Sequence, residues 1–335
     1  MSKPFKVLGL AAATLCLVFL ACLGALAIYF SPLPDALRTV AAALFALAAL
    51  ALVLSGLRRK KRRAWGAFLA LFAMVFAAWW LLIEPSNDRN WQADVAVLPW
   101  AEISGDRVVV HNIRNCDYRT ETDYTVRHYD RNFDLNTLKS LDLYLVYWGS
   151  PSIAHTMMSF GFEDGSYLCF SIETRKEVGE EYSAVKGFFK QFELTYVVAD
   201  ERDLVRLRTN FRKGEDVYLY RLNVSMDFAR NVLLDYLREV NSLKERPQWY
   251  RAILTNCTTS ILRHTTPFNP EARFDWRLIA NGYLDEMLYE RGRLDRTLPF
   301  AELKQRSLIN PRAKAADKAG DFSRPIRVGL PGMEP

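Results

Sequence analysis

The stretch IAHTMMSFGFEDGSYLCFSIETR, residues Ile153–Arg175, reads as two strands joined by a turn. Ile153–Phe162 and Tyr167–Arg175 are apolar and β-prone. Glu163-Asp164-Gly165 between them suits a type I turn closed by a left-handed glycine. A connection of this length pairs Phe162 with Ser166, and counting back sets His155 opposite Glu173. His155, Met157, Ser159, Cys169, Ser171 and Glu173 then share one face. A connection one residue shorter or longer would bring Ile172 or Thr174 there instead.

Further strands are expected on both sides of this hairpin. Val108-Val109-Val110 is a short one, and Leu141–Trp148 is apolar enough to lie centrally. Phe192–Val198 and Val217–Leu222 follow, with Asp200-Glu201-Arg202-Asp203 a solvated turn between elements. Val185–Phe189 reads as a short helix. Ser225 caps the clearest helix, Met226–Leu243, in which Phe228, Val232, Tyr236 and Val240 recur every four residues. Pro247 lies beyond its end, and a second helix begins at Cys257. Strands and helices without strict alternation indicate an α+β domain, spanning residues 84–309. Residues 310–335, rich in Pro, Gly and charge, read as a flexible C-terminal tail.

Residues 1–83 form a membrane anchor with three transmembrane helices. Val7–Phe30, Thr39–Leu57 and Ala64–Ile83 carry no charge, and each is long enough to cross a hydrocarbon core of roughly 30 Å. A cleavable signal peptide does not suit the first run, which is too long and is followed by two more. Lys3 and Lys6 precede the first span, and Arg58-Arg59-Lys60-Lys61-Arg62-Arg63 separates the second from the third. The positive-inside bias places the N-terminus and this basic run in the cytoplasm, and everything after Ile83 outside. The basic run by itself accounts for the formal net charge of +6. The charge therefore reports topology, with anionic lipid as its natural neighbour, and gives no basis for nucleic-acid binding.

Of the five cysteines, Cys16 and Cys22 lie in the first span. An external setting permits a Cys116–Cys169 disulfide, although Cys169 also reads as a buried strand thiol. Cys257 differs in its surroundings. Asn256 is a good helix cap, Thr258-Thr259-Ser260 is polar, and unpaired N–H groups at a helix start favour a thiolate. The plain alternative for Cys257 is a small buried hydrophobe, and for His155 a satisfied strand histidine. Among the four histidines, His111 and His128 sit in the irregular N-terminal part, and His264 lies two turns along the Cys257 helix. Cys257 with His155 therefore reads as a nucleophile and its base. Glu173 is a candidate to orient the imidazole, Ser171 is the fallback, and a surface pair of Glu173 with Arg175 or Lys176 competes. No HxxxH, CxxC, glycine-rich phosphate loop or GxSxG elbow occurs, so neither metal nor cofactor is expected.

The ordered blocks WGSPSIAHT (148–156), SIETRKE (171–177), FELTYVVADERD (192–203), VYLYRL (217–222) and NCTTS (256–260) resemble the bacterial family called the Lnb N-terminal periplasmic domain. The resemblance implies a papain-like, NlpC-type thiol fold in circularly permuted order, histidine before cysteine. It makes His155 and Cys257 the catalytic candidates. Founding members of the family are implicated in N-acylation of bacterial lipoproteins, with membrane spans that follow the domain; here the spans precede it. The resulting expectation is a periplasmic cysteine acyltransferase anchored in the inner membrane, its partners a membrane lipid and a lipoprotein N-terminus. A cell-wall amidase or peptidase using the same pair is the second reading, and a non-enzymatic membrane-anchored module the third. An apolar mouth to the site would favour acyl transfer, and an open polar cleft peptide hydrolysis.

Overall fold

A computed structural model describes residues 3–58, 63–251, 257–269 and 275–333. The chain divides into two compact units. One runs through Ser86 and includes Ser183–Gln191; the other holds Asn87–Tyr182 and the chain from Phe192 onward.

In the first unit three helices, α1 (Lys3–Tyr29), α2 (Asp35–Gly56) and α3 (Arg63–Leu82), are long and apolar enough to cross a membrane. They meet where side chains are small. A Cβ on Gly24 would lie 2.6 Å from the Phe45 ring, and one on Gly56 would overlap Trp65, so a side chain at either position would displace the facing ring. The Trp65 indole donates to the Val53 carbonyl at 3.0 Å. The segment Ser183–Gln191, with the one-turn helix α4 (Ala184–Gly187), belongs to this unit. The Lys190 ammonium donates to the carbonyl of Trp80 at 2.7 Å, and the Gln191 amide to that of Phe30 at 2.7 Å. Both bonds land on carbonyls at helix C-termini, where backbone acceptors outnumber the donors of the helix. Residues 59–62 of the basic run lie outside the described residues.

The second unit is built on one mixed sheet. Its strands are β1 (Trp100–Ser104), β2 (Arg107–Arg114), β5 (His128–Asp134), β6 (Leu138–Trp148), β7 (Ala154–Phe162), β8 (Tyr167–Arg175), β9 (Glu193–Ala199) and β10 (Glu215–Arg221). Two-residue strands β3 (Asp117–Tyr118) and β4 (Tyr124–Thr125) form a separate ribbon. The order is β1-β2-β9-β8-β7-β6-β10, with β5 also on β2; only β2–β9 is parallel. The hairpin β7–β8 sits centrally. Its turn, Glu163–Gly165, has Gly165 at φ 81°, and the register Met157↔Ser171 through Gly161↔Tyr167 is the one read from the sequence.

Each face of the sheet is covered. Helix α6 (Met226–Glu245), capped by the Ser225 hydroxyl, packs Val232, Leu233, Tyr236 and Leu237 on one face over Leu143, Phe160 and Phe170. Helices α7 (Cys257–Thr265) and α8 (Leu284–Glu290) complete that layer. Helix α9 (Phe300–Arg306) joins the same layer through Leu303. The other face is covered by α5 (Glu201–Arg206) and by the C-terminal segment from Ile309 onward, with its short helix α10 (Asn310–Ala315).

Two expectations need correction here. The supposed solvated turn at Asp200–Asp203 is the start of α5, and its Glu201 and Asp203 are fully buried. Burial is tolerated because each acid has an arginine: Arg114 forks onto Asp203 and Arg327 onto Glu201. The supposed flexible tail is packed core. Ile309, Ala313, Phe322, Ile326, Leu330 and Met333 are buried against the sheet, and Arg327 reaches between Asp142 and Glu201. Cys116 and Cys169 are both buried and unbonded.

Candidate functional site

The β7–β8 ladder ends at Met157–Ser171, whereas β8 continues to pair with β9 as far as Arg175. Beyond Met157 the two central strands therefore separate, and the start of α7 faces the opening. Cys257 and His155 line one cleft. The Cys257 thiol lies 3.9 Å from the Thr258 hydroxyl, and His155 is the neighbour that most favours its ionisation, with the Thr156 backbone N–H adding to it. Cys257 is half-buried at the first turn of α7. Asn256, read as the cap of this helix, lies outside the described residues.

Beyond the imidazole runs a chain of polar groups. His155 Nε2 lies 2.7 Å from Ser171 Oγ, and the Ser171 hydroxyl donates to Glu173 Oε1 at 2.6 Å. Nε2 is itself 3.3 Å from the same carboxylate oxygen. A serine that donates to Glu173 must accept from Nε2–H. This assigns the ε tautomer to neutral His155 and leaves Nδ1 as its proton acceptor. The sequence left Ser171 and Glu173 as alternatives; the two lie in series along one hydrogen-bonded chain. Arg208 extends the chain, donating to Glu173 Oε1 at 2.9 Å with Glu215 on its other side at 3.3 Å. Sequence reading missed Arg208. It sits on a π-helical turn, Leu207–Phe211, after α5, and no side-chain periodicity announces such a turn.

Charge follows from this geometry. Burial works against a thiolate at Cys257, but the His155 charge and hydrogen bond outweigh it and bring the thiol down to about 7. For His155, burial and Arg208 oppose protonation, and Glu173 and Cys257 overcome them, so its proton is held more firmly than usual. Glu173 is kept ionised well below the usual carboxylate range by His155 and Arg208, in spite of burial. The other two cysteines of this unit behave oppositely. Burial, with Asp203 adding, pushes Cys116 up to about 12, and burial raises Cys169 well above its ordinary value. Cys257 alone of the three is set to ionise near neutrality.

Asn281, on a short 3-10 turn, ties the two reactive elements together. Its carbonyl oxygen accepts from the Ala154 N–H at 2.9 Å, and its amide donates to the Ala154 carbonyl and to the Thr258 hydroxyl. Ala154 precedes His155 and Thr258 follows Cys257, so one buried amide fixes the strand against the helix. Gly282 lets this turn approach closely: a Cβ there would lie 2.1 Å from the Pro151 carbonyl oxygen. His264, on the far side of α7, is buried between Tyr196 and Asp235 at 2.7 Å from each. It anchors the helix and faces away from the thiol.

The pair opens into a cleft of about 420 Å³. Glu173, Lys176, Arg208 and Arg212 line its polar side, and Trp148, Ile153, Tyr182 and Ile279 its apolar side. These apolar side chains are well exposed, Ile279 by 76%, which is an unusual setting for large hydrophobes clustered around one opening.

Residues 124–282 match the model of a protein family, the Lnb N-terminal periplasmic domain. That span contains His155, Ser171, Glu173, Arg208, Cys257 and Asn281. No curated protein and no solved structure matches the chain.

Proposed function

We propose, for a chain that carries an Lnb N-terminal periplasmic domain behind three membrane-span helices, that Cys257 is the nucleophile of a membrane-lipid acyltransferase. The observation that supports this most is a thiol at a helix start that shares its cleft with the histidine favouring its ionisation, the cleft being rimmed by exposed tryptophan and isoleucine side chains. The Cys257 thiolate attacks the ester carbonyl carbon of a phospholipid; a C–S bond forms and the C–O bond breaks. The departing lysolipid alkoxide takes the proton from the His155 imidazolium. The backbone N–H of Cys257, at the helix start, is a natural donor to the oxyanion of the tetrahedral intermediate. An amine, in this reading the N-terminus of a lipoprotein, then attacks the thioester. The C–N bond forms, the C–S bond breaks, and His155 takes the amine proton. Ser171, Glu173 and Arg208 hold the imidazole in its tautomer through the cycle. We read the domain as a permuted papain-like fold, with histidine on a central strand preceding the cysteine helix in the chain. The rim favours acyl transfer over the cell-wall amidase reading, since a peptide offers an apolar mouth little to bury.

Mass spectrometry of the full chain purified in lipid is expected to find a fatty-acyl adduct on Cys257 that hydroxylamine removes. Its absence under conditions where Cys257 is freely alkylated would argue against acyl transfer.

The same reading places the second unit in the periplasm and the N-terminus in the cytoplasm of an inner-membrane protein. Reporter fusions after Ile83 should score as extracytoplasmic, and fusions near Lys61 as cytoplasmic. A cytoplasmic signal from the former would remove lipoproteins as acceptors.

A further inference from the structure

Behind α7 lies a second space, of about 630 Å³, larger than the thiol cleft. Leu143, Met158, Phe228, Ile261, Met287 and Leu288 line it, from β6, β7, α6, α7 and α8. Among the described residues its lining contains no carboxylate; its cations, Arg291 and Arg293, belong to the exposed or half-exposed end. Native cores leave few voids larger than a water molecule. A space of this size lined by aliphatic and aromatic side chains is instead within the range of ligand pockets, about 300–1,000 Å³.

Two residues decide what it is for. Thr258 and Leu278 line both this space and the cleft that holds Cys257. Helix α7 thus works as a partition: its first residue presents the thiol to one side, and Ile261, Leu262 and Thr265 face the other. The two spaces are separated only by the wall that Thr258 and Leu278 make, and a molecule whose reactive carbon sits at Cys257 reaches the second space with an apolar tail by displacing that wall. Peptides and sugars have no such tail. Three helices able to span a bilayer in the same chain keep lipid acyl chains at hand.

We propose that the space between α6, α7 and α8 is the acyl-chain pocket of the lipid donor, with the ester carbonyl at Cys257. The inference rests on the acyl-transfer reading of the cleft, and its test separates the two. The full chain is placed in nanodiscs of phosphatidylethanolamine and phosphatidylglycerol doped with a phospholipid whose acyl chain ends in a diazirine. After irradiation, label is expected on peptides holding Phe228, Ile261 and Met287, in the native protein and in Cys257→Ala alike, since occupation needs no thiol. Leu288→Trp, which fills the space, should cut that label by about tenfold, in line with what overpacking costs. It should leave the rate at which iodoacetamide modifies Cys257 unchanged. Label confined to α1–α3 while Cys257 remains reactive would overturn the pocket and leave the nucleophile standing. Label in the pocket with no acyl adduct on Cys257 would support a lipid site and remove the transfer reaction.

Discussion

His155→Ala is expected to slow alkylation of Cys257 at pH 7 by about tenfold or more and to abolish acyl-adduct formation. With its thiol at about 7, Cys257 is half thiolate at neutral pH. Without the imidazole only opposing burial and minor hydrogen bonds remain, and the thiol returns to about 8.5 or above, leaving a few per cent ionised. Turnover falls further, because the general acid and base are lost together, a factor of about 10²–10⁴. The sign is checkable in the pH profile. Alkylation of the native protein should rise through about pH 7, and in His155→Ala the same limb should move up by a unit or more. An unmoved limb would mean that His155 does not set the thiol. The positioning groups should grade below this. Ser171→Ala leaves Glu173 within 3.3 Å of Nε2, so a direct contact can replace the relay, and a loss of about tenfold is expected. Glu173→Gln should cost more, since it removes the charge that holds the imidazolium while Arg208, which disfavours that charge, stays in place.

What could be read from the sequence was what local rules govern. The β7–β8 register follows from one turn and period-two alternation, so the sequence alone puts His155, Ser171 and Glu173 on one face. The helix starting at Cys257 followed from its polar first turn. The remainder was hidden for identifiable reasons. Glu201, Asp203 and Arg327 look like surface charges in the chain, and their burial depends on partners at distant positions, Arg327 lying at the far end from Asp142. Residues 310–333 carry their buried side chains at irregular spacing among glycines and prolines, so no helical or strand period signals a core segment. Asn281 and Arg208 sit on 3-10 and π turns, whose side-chain directions neither the 3.6- nor the 2-residue pattern describes. The local part of the site was therefore legible, and its long-range supports were not.

Those supports carry the largest stability effect. Arg327 is buried over the Tyr167 ring at 3.5 Å, and its guanidinium bonds Asp142 at 2.8 Å and both oxygens of Glu201 at 2.6 and 2.7 Å. Glu201 also accepts from the hydroxyls of Tyr144 and Ser159. Arg327→Met keeps most of the packing and removes the charge, leaving two carboxylates buried on one face of the sheet with Arg221 alone, on Asp142, to answer them. Breaking a buried pair in this way costs about 3–5 kcal/mol, which lowers the melting temperature of a domain this size by about 10 °C. Glu201→Gln in the same chain should recover part of the loss, because a neutral amide is no longer an uncompensated charge. A variant that is destabilised by packing alone would gain nothing from it. The pH dependence follows the same network. Arg327 holds Glu201 ionised below its ordinary value although burial opposes this. The stability it contributes is present above about pH 4.5 and is lost as acid protonates Glu201 below that. In Arg327→Met that acid limb should shrink, since the depressed carboxylate that produces it has lost its partner. A melting temperature within about 2 °C of native would show that the C-terminal segment adds little to the sheet it covers.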